Sequence, residues 1–275
     1  LLVELFVESY AKAPRELWLD LDATDDPLHG NQEGRFFHGY YGCYCYLPLY
    51  IFCGEHLLCA RLREANQDGS AGSVEELSWI TAQIRQSWPN VRIIIRADSG
   101  FCRDSIMSWC EANGIDFVLG LAKNKRLIRS IGEVLHRARI DYEFTGKSAR
   151  EFKDLNYKTR KSWSRSRRVV AKAEQLRNKI NPRFVVTSLS INEVDAQPLY
   201  EDLYCIRGEM ENRIKECQLD LYADRTSAAT MRANQLRLWF YSMAYVLMCA
   251  LRRIGLHDTD FAQATCGTIR LKLLK

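Results

Sequence analysis

Acidic side chains at the ends of apolar strands are the residues of this chain best suited to chemistry. Asp22 falls at the end of "LWLDLDA" (17–23) and Asp98 closes "VRIIIRAD" (91–98). A third acid, Glu211, lies in "YCIRGEMENRIKECQL" (204–219), after Tyr204 and Arg207 and before Lys215 and Gln218. Carboxylates are hard oxygen donors, and a few of them with positions left for water and phosphate suit Mg²⁺. Two such ions about 4 Å apart can bind both the attacking and the leaving oxygen of an in-line phosphoryl displacement. Each residue also has a purely structural use. Asp22 can cap the turn before Pro27, and Asp98 can fix the turn at Ser99-Gly100. Arg207–Glu211 and Glu211–Lys215 can be ordinary i,i+4 pairs on a surface helix.

These residues need elements to hold them. At about 100° per residue, Tyr204, Arg207, Glu211 and Lys215 form a stripe that borders the apolar stripe of Met210, Ile214, Cys217 and Leu221. A solvated face would lie opposite it. Leu17, Leu19 and Leu21 alternate with Asp20 and Asp22, as in a strand buried on one face. "GRFFHGYYGCYCYLPLYIFCG" and "HLLCARLRE" extend this to three neighbouring strands. Ser73 and Glu76 have capping-box spacing and open a helix. "VRIIIRAD" and "IDFVLGLA" read as strands buried on both faces, separated by a short helix that Asn113-Gly114 stops. The order βββ-α-β-α-β predicts an α/β fold with a mixed five-stranded sheet and helices on both faces. Residues 15–122 and 201–256 form this core. Residues 123–200 are a basic, β-rich insertion, 231–254 a long helix packed on the sheet, and 257–275 a tail.

The chain has 275 residues, 47% of them hydrophobic, enough for a substantial core. Its ten cysteines include no CxxC pair and its histidines show no ligand spacing, so reduced thiols are expected and zinc is not. The strongly apolar "LWFYSMAYVLMCALRRIG" is short and reads as a buried helix, not a membrane span. Thirteen Lys/Arg against three Asp/Glu between positions 145 and 183 give a local +10 within a total of +5. There Arg165, Arg167 and Arg168 stand among Tyr157, Trp163 and β-branched residues, a mixture suited to a polyanion. The start lacks both a signal peptide and an initiating Met, so the sequence is expected to be a piece of a longer one.

In strand order, insertion and acids, residues 17–254 resemble the ribonuclease H-like DDE transposases of bacterial insertion sequences. The likeness is to the group whose third acid lies in a Tyr-x2-Arg-x3-Glu-x6-Lys signature. "DAT" at 22–24 matches the first-acid motif, "RADSGF" the second, and "YCIRGEMENRIKE" the third. The resemblance implies Asp22, Asp98 and Glu211 as ligands of two Mg²⁺ ions, for which Mn²⁺ can substitute. Asp20, Asp25 and Asp26 are the rival acids. It implies Tyr204, Arg207 and Lys215 as DNA contacts, with Gln218 facing the same phosphate where the signature has Lys. Cleavage at the element's ends and strand transfer into target DNA are the implied reactions. The implied partner is double-stranded DNA, bound by a homodimer in the bacterial cytoplasm, with no membrane involved. A terminal-repeat-binding domain usually precedes the region in this family. A DNA-binding relic without catalysis, or a structure-specific nuclease on the same fold, stays open.

Overall fold

The alternation of leucine and aspartate at 17–22 becomes a strand, β1 (Glu16–Ala23), whose three leucines are shut from solvent while Asp22 stays half-buried. The computed structural model describes residues 1–177 and 179–274; Asn178, in the basic stretch, and Lys275, the last of the expected tail, lie outside the described residues. Two compact units divide the chain, residues 1–91 with 208–275 and residues 92–207.

The first unit begins with α1 (Leu2–Glu8) and β1. The aromatic run after β1 makes more strands than expected. β2 (Asp26–Pro27), β3 (Phe36–His38) and β4 (Cys43–Tyr46) form a small separate sheet in the order β2-β4-β3. β5 (Leu49–Cys53) then pairs antiparallel with β1, and β6 (His56–Arg61) with β5. Gly54 takes φ +57° in the two-residue connection between them, a conformation that favours glycine. α2 (Ser73–Ser87) follows, but the predicted capping box does not form. The helix starts one residue early for it. Gly72 is the N-cap, and Ser73, inside the first turn, buries a hydroxyl with no hydrogen-bond partner among the described residues. Glu76 instead pairs with Arg61 at 2.8 Å.

In the second unit β7 (Arg92–Ala97) lies parallel to β8 (Asp116–Leu121), and α3 (Asp104–Ala112) connects them. The helix ends where Gly114 turns to φ +60°. Two helices that the sequence did not announce follow, α4 (Lys125–Ser130) and α5 (Gly132–Thr145). Asn124 caps the first by accepting from the N–H groups of Arg126 and Leu127. Next come β9 (Ala149–Tyr157), β10 (Arg167–Leu176), β11 (Lys179–Ile180) and β12 (Arg183–Thr187). β12 pairs antiparallel with β8, β10 with β12, and both β9 and β11 with β10. The 123–200 segment thus extends its unit's mixed sheet. A short helix, α6 (Ala196–Pro198), runs into a π turn (Leu199–Tyr204) and a 3₁₀ turn (Cys205–Arg207).

The chain then returns to the first unit as α7 (Gly208–Lys215), a π turn (Glu216–Asp220), and α8 (Met231–Ala250), which continues as a further π turn (Leu251–Gly255). Tyr46, Tyr50 and Phe52 from the strands form one core with Met210, Ile214, Leu238 and Tyr245 from these helices. The expected tail contains α9 (Cys266–Leu273), whose Cys266 and Ile269 are fully buried in that core. Helices and a large mixed sheet make the fold α/β, consistent with the ribonuclease H-like expectation. All ten cysteines are free thiols. Among the described residues no helix is long and apolar enough to cross a membrane.

Candidate active site

In the first unit Asp22 sits at the end of β1, opposite Tyr50 of β5. Its Oδ1 accepts the N–H of Ala23 at 2.9 Å, which holds the carboxylate against its own strand end. Two residues earlier Asp20 faces Phe52 and is only 5% exposed. Asp26 is more deeply enclosed, at 1% exposure, with Thr226 Oγ1 donating to its Oδ2 at 2.9 Å. Its Oδ1 has no partner among the described residues. Of the four acids in this stretch, Asp22 and Asp25 keep partial access to solvent.

Burial pushes the Asp26 carboxyl up to about 8, so in the folded chain it is a neutral acid over most of the physiological range. The unfolded chain ionises near 4, and folding therefore retains a proton that the unfolded state has released. The sign follows: stability falls as pH rises from about 4 to about 8. We expect the melting temperature to drop across that window from this group, and Asp26→Asn to flatten the dependence. Thermal melts of both forms at pH 5, 6, 7 and 8 check this. Parallel curves for the two forms would rule Asp26 out as the source.

Glu211 stands exposed in the first turn of α7, with Met210 and Ile214 turned into the core. Lys215, one turn on, is also exposed. Gln218 corrects an expectation. Its Nε2 donates to the backbone carbonyl of Asp25 at 3.0 Å, so it ties the π turn after α7 to the turn that follows β1. The amide meant for a DNA phosphate fastens the helix of Glu211 to the strand end of Asp22. A single helical wheel over 204–221 fails for a related reason. The segment winds as π, 3₁₀, α and π in turn, so 100° per residue does not hold along it. No motif in the sequence pointed to Tyr41. Its hydroxyl donates to Ala23 O at 3.3 Å, and burial, then the charges of Asp25 and Asp22, push it up to about 12.

In the second unit Asp98 directly follows β7 and caps a 3₁₀ turn, Ser99–Phe101. Oδ1 accepts the Gly100 N–H at 2.8 Å, leaving Oδ2 as a further acceptor. Tyr204 and Arg207 belong to the same unit. Arg207 is hydrogen-bonded to the Tyr204 hydroxyl; burial, and secondarily the Asp98 charge, raise that phenol above its ordinary value. Gly120 of β8 is what lets them meet. A Cβ there would overlap the Tyr204 hydroxyl and lie 2.9 Å from the Ser99 nitrogen. Beside Tyr204 a cleft of about 310 Å³ is lined by Ser99, Lys123, Arg183 and Tyr200. Its two cations and two phenols fit a phosphodiester.

Gly120→Ala is expected to displace both Tyr204 and the Asp98 turn. Overpacking of this kind destabilises by about 1–3 kcal/mol, and misplacing a reacting group by about 1 Å costs roughly 100-fold in rate. A cleavage assay on a variant that still melts cooperatively is the check. Full activity would show that the turn has room to move.

The arginines of the basic stretch separate. Arg165 is largely exposed, with Glu111 3.7 Å away. Arg167 is not available to a polyanion, because its side chain is only 3% exposed and pairs with Asp104 and Glu111, each at 2.7 Å. Arg168 binds Asp154 at 2.6 Å and the carbonyls of Leu189 and Val194. Both fix β10, and the charge of these two arginines is neutralised within the fold.

Asp22, Asp98 and Glu211 are each carboxylates, hard oxygen donors of the type that suits Mg²⁺ better than zinc. Two belong to the first unit and one to the second. Among the described residues, no group of three or more His, Cys, Asp or Glu side chains is placed to hold a metal ion. In comparison with known proteins, residues 1–275 match the family model described as transposase DDE domain group 1. A search of curated proteins returned no match.

Proposed function

The chain belongs to the transposase DDE-domain family along its whole length, and from that premise we propose metal-dependent cleavage of DNA at insertion-sequence ends, followed by joining of the freed 3′ ends to target DNA. The observation that carries the reading is the setting of the acids. Asp22 and Asp98 stand where strands end, and Glu211 is exposed on a helix anchored by its apolar face. We assign these three as the ligands of two Mg²⁺ ions, with Mn²⁺ able to substitute; when bound, the ions supply Lewis acidity at the scissile phosphate.

The remaining residues position the DNA. Tyr204 and Arg207 present a phenol and a guanidinium beside Asp98, and a guanidinium grips phosphate oxygens through paired N–H donors. Lys215 and Arg165 add exposed charge. Lys123 and Arg183, in the cleft beside Tyr204, join this set. Arg167, Arg168 and Gln218 support the scaffold. The partner is double-stranded DNA, engaged by a homodimer in the bacterial cytoplasm.

A supercoiled plasmid carrying the element's two ends, incubated with the chain and Mg²⁺, tests this. Nicks at the ends and joined products support transposition. Binding without nicking supports a catalytically inactive relic. Cutting without preference for the ends supports a structure-specific nuclease.

A further inference from the structure

The run "RFFHGYYGCYCY" (35–46) carries six Phe and Tyr rings in twelve residues. It forms the hairpin of β3 and β4, with Phe37 directly opposite Tyr44. The hairpin face of Cys43 and Cys45 packs with Ala23, Tyr41 and Ala65. The other face starts in the core at Tyr46 and emerges into solvent at Tyr44, 46% exposed, and Phe37, 57% exposed. Tyr40, in the turn between the strands, is 87% exposed. The rings are ordered by one another. Phe37 and Tyr44 meet edge to face at 5.5 Å, and the Arg35 guanidinium lies 4.5 Å over the Tyr44 ring. Tyr40 meets Tyr41 edge to face at 5.0 Å, and Tyr41 meets His38 at 4.9 Å. A contiguous exposed aromatic patch of this kind marks a binding surface.

We propose that Phe37, Tyr40 and Tyr44 stack on a run of unpaired bases, so that the hairpin binds single-stranded DNA beside the strand end of Asp22. Three observations favour this occupant. First, the patch offers rings and a guanidinium, and both stack on any nucleobase regardless of sequence. No Leu, Ile, Val or Met stands in 35–46. Second, no Asp or Glu lies between Gly34 and Gly54, while Arg35 brings positive charge to the rings, so a polyanion is attracted and not repelled. Third, the tyrosine pair is fastened to the candidate site, because the Tyr41 hydroxyl donates to Ala23 O, next to Asp22. In a duplex each base face is covered by its neighbours, so a stacking surface selects a frayed or single strand. The placement beside a cleavage point rests on Asp22 as a metal ligand; the stacking itself does not.

Fluorescence anisotropy decides it, with the 275-residue chain, a labelled dT oligonucleotide of about 12 nucleotides and a duplex of the same length, without divalent metal. Tyr40→Ala and Phe37→Ala should each weaken binding of the single strand about tenfold, as loss of one stacking ring does, and leave duplex binding unchanged. Tyr40→Trp should bind at least as well as the wild type, since an indole also stacks. The slope of log K against log salt should stay at its wild-type value, because no phosphate contact is lost. Trp79→Ala, at an exposed ring on α2, should bind both probes as the wild type does. The proposal fails if Phe37→Ala/Tyr40→Ala binds the dT oligonucleotide normally, in which case the face serves a protein partner. It fails equally if duplex affinity falls in step, if Trp79→Ala loses as much, or if Tyr40→Trp is as weak as Tyr40→Ala. No acid or metal enters this assay, so it can fail while the plasmid is cleaved at the element's ends, and succeed while the plasmid stays intact.

Discussion

Glutamine in place of Glu211 leaves a chain that folds and binds DNA but does not cut it. The side chain is exposed and makes no part of the core around Met210 and Ile214, so an amide of the same shape disturbs little packing. Losing the charge removes a hard anionic donor. Metal stabilisation of a phosphoryl transition state is worth several kcal/mol, and each 1.36 kcal/mol is about tenfold in rate, so the drop should be on the order of 1,000-fold or more. Asp22→Asn and Asp98→Asn should behave alike, and their geometry explains why asparagine is the right probe. Each keeps the Oδ1 that accepts a local N–H, from Ala23 in one case and Gly100 in the other. Alanine at position 98 would also remove the cap of the 3₁₀ turn and confuse structure with chemistry. Cleavage rates, mobility shifts and melting curves on the three variants are the measurements. Wild-type cleavage by any of them would strike that residue from the site.

Glu216→Ala should cause the largest loss of stability of any exchange outside the apolar core. Glu216 and Arg252 are both under 10% exposed, and Oε2 accepts from Arg252 Nη1 at 3.0 Å and from the Cys266 N–H at 2.9 Å. Removing the acid strands a buried guanidinium and frees the start of α9 at once. Breaking a buried pair from one side typically costs about 3–5 kcal/mol. In a chain of this size that lowers the melting temperature by roughly 10 °C. The double variant Glu216→Leu/Arg252→Met should recover much of the loss, since a well-packed apolar pair can match a buried ion pair. Denaturant titration of the single and double variants gives the answer. A double variant less stable than Glu216→Ala would mean that the arginine contributes mainly through its other contacts, the carbonyl of Ala264 and the thiol of Cys249.

Strands carried the clearest signal in this sequence. The leucine alternation of β1 and the continuous apolar runs of β7 and β8 specify strands because each meets a packed face on one side or on both. The long apolar run around α8 declared itself by composition. What stayed hidden had physical causes. α5 buries little beyond Val134 and Ala138, so it has almost no apolar stripe to read. α9 is a single amphipathic turn pair whose burial depends on Glu216, fifty residues earlier, a long-range partner that no local pattern announces. Charge was the most misleading signal. Arg167 looked like part of a polyanion surface because its neutralising partners, Asp104 and Glu111, come from α3, far back in the chain. For the candidate site, the types of Asp22, Asp98 and Glu211 were legible, but the roles of Gln218, Tyr41 and Gly120 were not. Those roles rest on contacts between backbone atoms and side chains that only the folded chain brings together.

Because residues 92–207 interrupt the first unit, the order of synthesis matters for that unit. β1, β5 and β6 leave the ribosome early, with Tyr50, Phe52 and Leu57 in a core that the C-terminal helices help to cover. α8 follows β6 by roughly 170 residues, a delay on the order of ten to thirty seconds at ordinary rates of translation. Through that interval the early strands present an uncovered apolar sheet, while residues 92–207 can complete their own sheet at once. A nascent chain of this design therefore needs shielding by a chaperone, and one released before position 231 would be a substrate for aggregation or proteolysis. The yield of finished molecules per message is then expected to depend on chain order as well as on the stability of the final fold.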